Sequence, residues 1–358
     1  MGPCYLSAFS GVGGADIGLA AAGWRCVGAC EIDQWRRGVF MRHHPNVPVG
    51  TDIREWQTDE RPLLLWGSPP CQDFSVAGRR VGISGGRGAL MWEFIRVADE
   101  VVQPGRWIAL EQVPGLLSSH GGRDFAAILG ALADIGFRDL AYRILDSQFF
   151  GVPQRRRRVF IVARRAGGER AAEVLDLADG GSRDIAARQE ARTGAAGSVA
   201  YGAGSARRLA RHGAARPDAG TEDFVVVSAL TKSGVGAGGG PDDNAAQAGH
   251  LVPIGLHTTQ YKIQERQVAS TVTSKLAKCS GGPSGDEHHN LVADSSGIRR
   301  LTPRECERLQ GWPDDYTRWD INGRESSDAK RYAAIGDGVT APVAEWIGRR
   351  LRDVTMRG

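Results

Sequence analysis

Leu63-Leu64-Leu65-Trp66-Gly67-Ser68-Pro69-Pro70-Cys71-Gln72 is the stretch on which the reading of this chain turns. An apolar run followed directly by turn chemistry predicts a buried strand that ends in a rigid loop. Pro69 and Pro70 each fix φ, so the backbone leading into Cys71 has little freedom. A cysteine held in this way can aim its sulfur at one face of a bound ring. Taken alone, the same residues describe a buried structural cysteine in a proline turn. The flanking sequence decides between the two.

Upstream, residues 5–9 predict a strand, followed by the loop Ser10-Gly11-Val12-Gly13-Gly14. An Ala-rich helix over 15–22 stops at Gly23, a suitable residue just past a helix end. Trp24 to Cys30 predicts a second strand and 33–42 a second helix. Downstream, Leu90, Phe94, Val97 and Val101 have helical spacing. Arg106–Leu110 predicts a strand, 124–135 a helix, and 142–145 and Val159–Ala163 two further strands. Strands alternating with helices imply an α/β fold whose sheet is mostly parallel and covered on both faces. Ligands of such sheets sit beyond the carboxyl ends of the strands. The glycine loop, Glu31, Asp52, Cys71 and Glu111 all fall at predicted strand exits or in the loops after them. One cleft can hold them all.

The chain has 358 residues and a formal charge of +4, enough for one large domain and one smaller one. That mild basicity fits a nucleic-acid partner without requiring one. The cysteines at 4, 26, 30, 71, 279 and 306 contain no Cys-x-x-Cys pair, and Cys26-x-x-x-Cys30 lacks the second half of a zinc site. Reduced thiols, no metal and a cytoplasmic, monomeric protein are expected. No stretch approaches a membrane span or a secretory leader.

Composition shifts near residue 165. Residues 166–222 are rich in Ala, Gly, Arg and Asp with weak patterning, and 224–294 in Gly, Ser, Thr and Val. The second stretch holds a faint duplication. Ala229-Leu230-Thr231 leads to His250-Leu251-Val252, and Thr271-Val272-Thr273 leads to Asn290-Leu291-Val292. Paired β-loops in a small domain account for this better than a solenoid. Patterning returns at Thr302-Pro303-Arg304-Glu305, a capping box with Pro at the first helical position. Val343, Trp346, Ile347 and Leu351 form an apolar stripe that predicts a last helix packed back on the first domain. The expected division is 1–165 plus 331–358 as one domain and 166–330 as the other.

The pieces occur in a telling order: Phe9 to Gly14, Glu31, Pro70-Cys71, Glu111-Gln112-Val113, Gln154 to Arg158, and Gly336-Asp337-Gly338-Val339. Together they resemble the DNA (cytosine-5)-methyltransferase family, bacterial and phage type, from about residue 4 to residue 352. The segment between about 165 and 297 has no strong match. The resemblance implies a Rossmann-like S-adenosylmethionine-binding domain and a β/loop-rich target-recognition domain. It makes Cys71 the nucleophile that adds to carbon 6 of cytosine, turning a poor nucleophile at carbon 5 into an enamine. Arginines at 79, 80, 87 and 155–158 are placed to favour the thiolate. Glu111 is the acid at N3, with Arg158 reaching the base oxygen and Glu111, and Arg156 beside it. Gln112 stands where the family usually has Asn. Asp337 puts an acceptor-only carboxylate where the common Gly-Asn-x-Val has an amide.

The glycine loop alone suits NAD, FAD and S-adenosylmethionine sites alike. Asp16 stands where Gly-x-Gly-x-x-Gly would place its last glycine, so a pyrophosphate cradle is not indicated and S-adenosylmethionine fits better. Phe9, Ser10, Gly11, Gly13 and Gly14 supply the loop. Glu31, followed by Ile32, ends the second strand where a carboxylate binds ribose hydroxyls. Asp52 and Ile53 resemble the pair that contacts adenine, and Pro70, Leu90, Asp337 and Gly338 complete the cofactor set. Double-stranded DNA is the expected partner, with the target base rotated into the pocket. Gln72, Ser75, Arg79, Arg80 and Arg87 lie on a loop suited to close on DNA, and Arg155 suits a phosphate. Lys232, Thr273 and Lys275 are candidates for base edges. The rivals are a tRNA-acting branch of the family, which typically shows a Cys-Phe-Thr absent here, a Rossmann oxidoreductase, and a catalytically silent DNA-binding relative. A cognate restriction endonuclease or a phage setting is left open.

Overall fold

The computed structural model describes residues 2–70, 89–166, 170–176, 226–228, 256–257, 262–263, 265–266, 269–272, 290–294 and 297–357. β1 (Cys4–Ala8) lies inside the main sheet. Helix α1 (Gly14–Ala21) leads to β2 (Arg25–Cys30), and α2 (Gln34–His43) leads to β3 (Val49–Gly50). The chain then crosses to the other side of β1 as β4 (Leu64–Gly67), and α3 (Ala89–Val101) precedes β5 (Trp107–Gln112). After α4 (Arg123–Asp134) come β6 (Phe137–Asp146), β7 (Gln154–Arg155) and β8 (Arg157–Arg165). The sheet order is β3-β2-β1-β4-β5-β8-β6. The first five strands are parallel, while β8 runs antiparallel to both β5 and β6. This is the mostly parallel, Rossmann-like sheet expected of the sequence. Strand order reverses between β1 and β4, which is where such a sheet opens a crevice beyond its strand ends.

Alternation along the strands builds a core on each face. Leu6, Leu65, Ile108, Leu110 and Ile161 point toward Phe94, Val97, Ile128 and Leu132 of α3 and α4. Their neighbours Tyr5, Leu64, Trp66, Trp107 and Val162 point the other way. That second face receives α1 and the last helix. Between them in the chain, α5 (Ala171–Leu175) is followed by α6 (Pro303–Leu309), α7 (Asp328–Asp337) and α8 (Ala341–Met356). The predicted stripe on α8 holds: Val343, Ile347 and Leu351 are buried beside Leu19 and Ala22, with Trp346 partly buried. Burying each such side chain contributes about 1.5–3 kcal/mol. The two helices touch through Gly18, where a Cβ would lie 2.1 Å from the Ala341 carbonyl.

The capping box forms as expected: Thr302 Oγ1 accepts from the Glu305 amide, and Glu305 accepts from the Thr302 amide at 2.7 Å. Leu301, Leu309, Trp312 and Tyr316 share one buried cluster with Val12 and Val39. Strands Val226–Ser228, Glu265–Arg266, Asn290–Asp294 and Gly297–Arg300 form a separate sheet, and Ala269–Ser270 pairs with β7. The remaining parts of the two duplicated loops lie outside the described residues.

β6 is longer than the four residues the sequence predicts. It is an edge strand, and exposed Arg138 and Tyr142 interrupt its apolar pattern. An edge tolerates such residues. Among the described residues no helix is long and apolar enough to cross a membrane.

Candidate active site

A cavity of about 910 Å³ opens at the carboxyl ends of β1, β2, β4 and β5. This is a size typical of small-molecule and cofactor sites, roughly 300–1,000 Å³. Among the expected cofactor residues, Phe9, Ser10, Gly11, Gly14, Glu31, Ile32, Asp52, Ile53, Pro70, Leu90, Asp337 and Gly338 line it. Glu111, Arg156 and Arg158 line it as well. Residues at opposite ends of the chain thus meet in one space.

The glycine loop is tied to the end of β2. Glu31 Oε2 accepts from the Gly11 amide at 2.9 Å, and Oε1 accepts from the Asp33 amide at 2.8 Å. Burial raises the Glu31 pKa, and the Asp33 amide and the Arg36 charge oppose that shift. Phe9 sits at φ +56°, a left-handed backbone unusual for a non-glycine residue. Such strain collects where a loop is held to shape. Gly13 departs from expectation. It does not line the cavity; it caps α1 at φ +99°, and a Cβ there would lie 2.8 Å from the Tyr316 hydroxyl. Its role is conformational, because no other residue fits both that φ and that gap.

Beneath the loop, Asp16 is buried and accepts from Tyr5 Oη at 2.9 Å and Ser7 Oγ at 3.1 Å. Burial pushes its carboxyl up to about 6 from 3.8, against the pull of those two hydroxyls. A raised folded-state pKa means that the group stabilises the fold below its unfolded value. That contribution is lost as pH rises through about 6. Asp16→Asn cannot ionise, so its thermal midpoint relative to wild type should rise between pH 5 and pH 8. Parallel melting curves for the two proteins across that range would contradict this assignment.

At the far wall, β5 delivers Glu111 and β8 delivers Arg158, with Glu111 Oε1 3.0 Å from Arg158 Nε. The angle is poor for a hydrogen bond, so Oε1 is a buried oxygen with no hydrogen-bond partner among the described residues. The neighbouring Gln112 donates from Nε2 to the Pro69 carbonyl at 2.6 Å. The longer amide therefore braces the proline turn that leads into Cys71. Cys71 itself lies outside the described residues, as do Gln72, Ser75, Arg79, Arg80, Arg87, Lys232, Thr273 and Lys275.

Arg156 lines the cavity and is held by backbone carbonyls, while its Nε has no hydrogen-bond partner among the described residues. It is buried, with Nη1 donating to the Val272 and Gly336 carbonyls at 3.1 Å and Nη2 to the Gly338 carbonyl at 2.8 Å. Burial and the adjacent Arg158 pull its pKa down to about 9. These contacts tie the start of β8 to the 336–338 segment. Gln154 does similar work: its side chain bonds the Leu309 carbonyl and the Val272 amide, each at 2.8 Å. Arg155 is exposed, and its carbonyl accepts from Thr271 Oγ1 at 2.8 Å.

Two further features escaped the sequence. Arg36, in the first turn of α2, pairs with Asp337 at 2.6 Å. Ser10 Oγ and Ser68 Oγ are buried on the cavity wall with no hydrogen-bond partner among the described residues. Orphaned hydroxyls on a wall with a strand-end carboxylate and a glycine loop suit a polar ligand that carries a ribose. The donor set therefore fits S-adenosylmethionine.

A Rossmann-like sheet with this cavity at its switch point defines a cofactor-binding α/β enzyme. The profile of C-5 cytosine-specific DNA methylase matches residues 5–191 and 235–353. The chain belongs to that family and is a DNA (cytosine-5)-methyltransferase. It is 28% identical to the DNA N-6-adenine-methyltransferase of Escherichia phage P1 over 99% of this chain, spanning 62% of the phage protein's length. It is 26% identical to the Type II methyltransferase M.HpaII of Haemophilus parainfluenzae over 97% of this chain and 88% of that protein. Among solved structures, the S. pombe Dnmt2 methyltransferase superposes with a TM-score of 0.60 at 16% identity, covering 98% of each chain. That likeness shows the fold.

Proposed function

We propose that this enzyme transfers a methyl group from S-adenosylmethionine to carbon 5 of a cytosine flipped out of duplex DNA, through a bond from Cys71 sulfur to carbon 6. The observation that supports it most is the Glu111–Arg158 pair, set in the same cavity as the Gly11–Glu31 contact. Glu31 suits the ribose hydroxyls, Asp52 and Ile53 the adenine, and Ser10 and Gly11 the body of the cofactor. When bound, S-adenosylmethionine supplies an electrophilic methyl group. Cys71 thiolate adds to carbon 6 and shifts the ring π electrons onto carbon 5 as Glu111 gives its proton to N3. Arg158 holds Glu111 in place and meets the base oxygen. After methylation, water takes the carbon 5 proton, the freed electron pair restores the ring double bond and expels the Cys71 sulfur as thiolate, and Glu111 takes back the N3 proton. The Gln112–Pro69 bond supports this reading by fixing the backbone one residue ahead of Pro70.

Residues 1–165 with 331–358 are proposed as the catalytic domain and 166–330 as the target-recognition domain. Gln72, Ser75, Arg79, Arg80 and Arg87 are proposed to meet DNA beside the flipped base, and exposed Arg155 to meet a phosphate. Lys232, Thr273 and Lys275 are proposed to read base edges. Such a contact is worth about 1–3 kcal/mol of discrimination. Lys275→Ala should therefore change the flanking-base preference on a randomised duplex library read by bisulfite sequencing. An unchanged preference would move recognition elsewhere. The Type II names among the relatives support a restriction–modification setting, with the enzyme acting as a cytoplasmic monomer. Counting tritiated methyl groups on duplex DNA and on tRNA tests the substrate. Label in DNA is expected, and label in tRNA alone would overturn the reading.

A further inference from the structure

Asp337 is the residue at which this chain departs from the family's common amide, and its partner lies 301 positions away. Arg36 Nη2 donates to Asp337 Oδ2 at 2.6 Å, and both side chains line the cavity. Arg36 reaches in from the first turn of α2, whose cap Asp33 accepts from the Arg36 amide at 2.8 Å. The side chains are 25% and 46% exposed, so the pair stands at the mouth rather than in the core. Among the described residues Asp337 Oδ2 is the only acceptor of the Arg36 side chain, and Asp337 Oδ1 has no donor. A guanidinium carries five N–H groups, so donors remain to be aimed at a ligand.

The position of the pair is set by its neighbours. On one side the Arg36 charge acts on Glu31, the carboxylate suited to ribose. On the other, the Asp337 charge acts on Arg156, which also feels Glu111 and Arg158 at the reacting end. A ligand with its ribose at Glu31 and its sulfur turned toward Glu111 must send its third substituent out between them. In S-adenosylmethionine that substituent ends in a zwitterion, an α-carboxylate beside an α-ammonium. The mouth offers the matching opposite charges side by side.

We propose that Arg36 and Asp337 together form the receptor for the amino-acid tail of the cofactor. Arg36 binds the α-carboxylate through its free N–H groups, and Asp337 accepts from the α-ammonium through Oδ1. This inference rests on the cofactor reading above and assigns it a residue, Arg36, that no motif in the sequence marks. It also fixes the sign of the Asp337 departure. A carboxylate already partnered by arginine does not stand alone to repel the carboxylate of the tail.

Calorimetry with two ligands separates this role from a structural tie between α2 and residue 337. S-adenosylhomocysteine carries the tail, and 5′-methylthioadenosine has the same nucleoside and sulfur without it. Arg36→Ala should weaken S-adenosylhomocysteine roughly 10- to 100-fold, as expected for losing a hydrogen bond to a charged group. It should leave 5′-methylthioadenosine unchanged. Asp337→Asn, which keeps an acceptor but loses the charge, should weaken S-adenosylhomocysteine by a smaller factor and again spare the truncated ligand. Arg36→Lys should fall between wild type and Arg36→Ala. Equal weakening of both ligands by Arg36→Ala, or no weakening of either, would overturn the tail receptor and leave the cofactor reading standing. Failure of the wild-type protein to bind S-adenosylhomocysteine would overturn both.

Discussion

Cys71→Ser is expected to abolish methyl transfer while duplex DNA binding persists. Addition to carbon 6 needs a thiolate, and a serine hydroxyl is rarely ionised near neutral pH. The fold should be kept, because the chain reaches Cys71 through a segment whose position does not depend on the sulfur. β4 is fully buried between β1 and β5, and the Pro69 carbonyl is held by Gln112. A serine at this position should therefore fold and bind like wild type. The measurement pairs tritium transfer to duplex DNA with a gel-shift titration of the same duplex. Residual transfer within about tenfold of wild type would mean that another group attacks the ring. Loss of DNA binding together with activity would mean that the substitution disturbs the loop rather than the chemistry.

Glu111→Gln is the second large effect. Glutamine is nearly isosteric, so the β5 strand and its register with β8 should be kept. What disappears is the group that can carry a proton to N3 and take it back, 3.0 Å from Arg158. A positioned general acid contributes roughly 10²- to 10⁴-fold, and turnover should fall by that order. Binding of S-adenosylhomocysteine should barely change, because Glu31 and the glycine loop lie at the other end of the cavity. Single-turnover methylation and calorimetry on the same preparation check both halves. Near-normal turnover would assign N3 protonation to some other group. A large loss of cofactor affinity would place Glu111 in the wrong part of the site.

The central strands were legible because they are buried on both faces or alternate strictly between them. Leu64, Leu65 and Trp66 are enough to mark β4, and Trp107 to Leu110 to mark β5. Helix ends were legible for local reasons too, as at Thr302 and Glu305, where both halves of the capping box lie three residues apart. The sheet's antiparallel return was not. Nothing in the spacing of residues 137–165 says that β8 inserts between β5 and β6. The same limit governs the site. The motifs named Glu31, Glu111 and Arg158, because each chemical role demands a particular residue type. They did not name Arg36, whose meaning depends on Asp337 and therefore on the whole fold between them. Two residues were hard to place for a related reason. A glycine in a glycine-rich loop can line the cavity, as Gly11 does, or carry the turn, as Gly13 does, and the letters are identical. An arginine near the cavity can leave its donors open or give its terminal ones to carbonyls, as Arg156 does. Gln112 shows the converse. Its departure from the usual asparagine is absorbed, because the longer side chain still reaches the Pro69 carbonyl.

The covalent bond proposed between Cys71 and the cytosine it prepares for methylation can be trapped. The direct measurement is to incubate the wild-type enzyme and cofactor with duplex DNA carrying 5-fluorocytosine, then denature and resolve the products. Fluorine at carbon 5 leaves no proton to remove, so the sulfur cannot be expelled and the adduct persists. A band resistant to denaturation, absent with Cys71→Ser and mapping by mass to the peptide containing Cys71, is the predicted result. An enzyme that methylates ordinary duplex DNA yet leaves no such band would contradict the covalent mechanism.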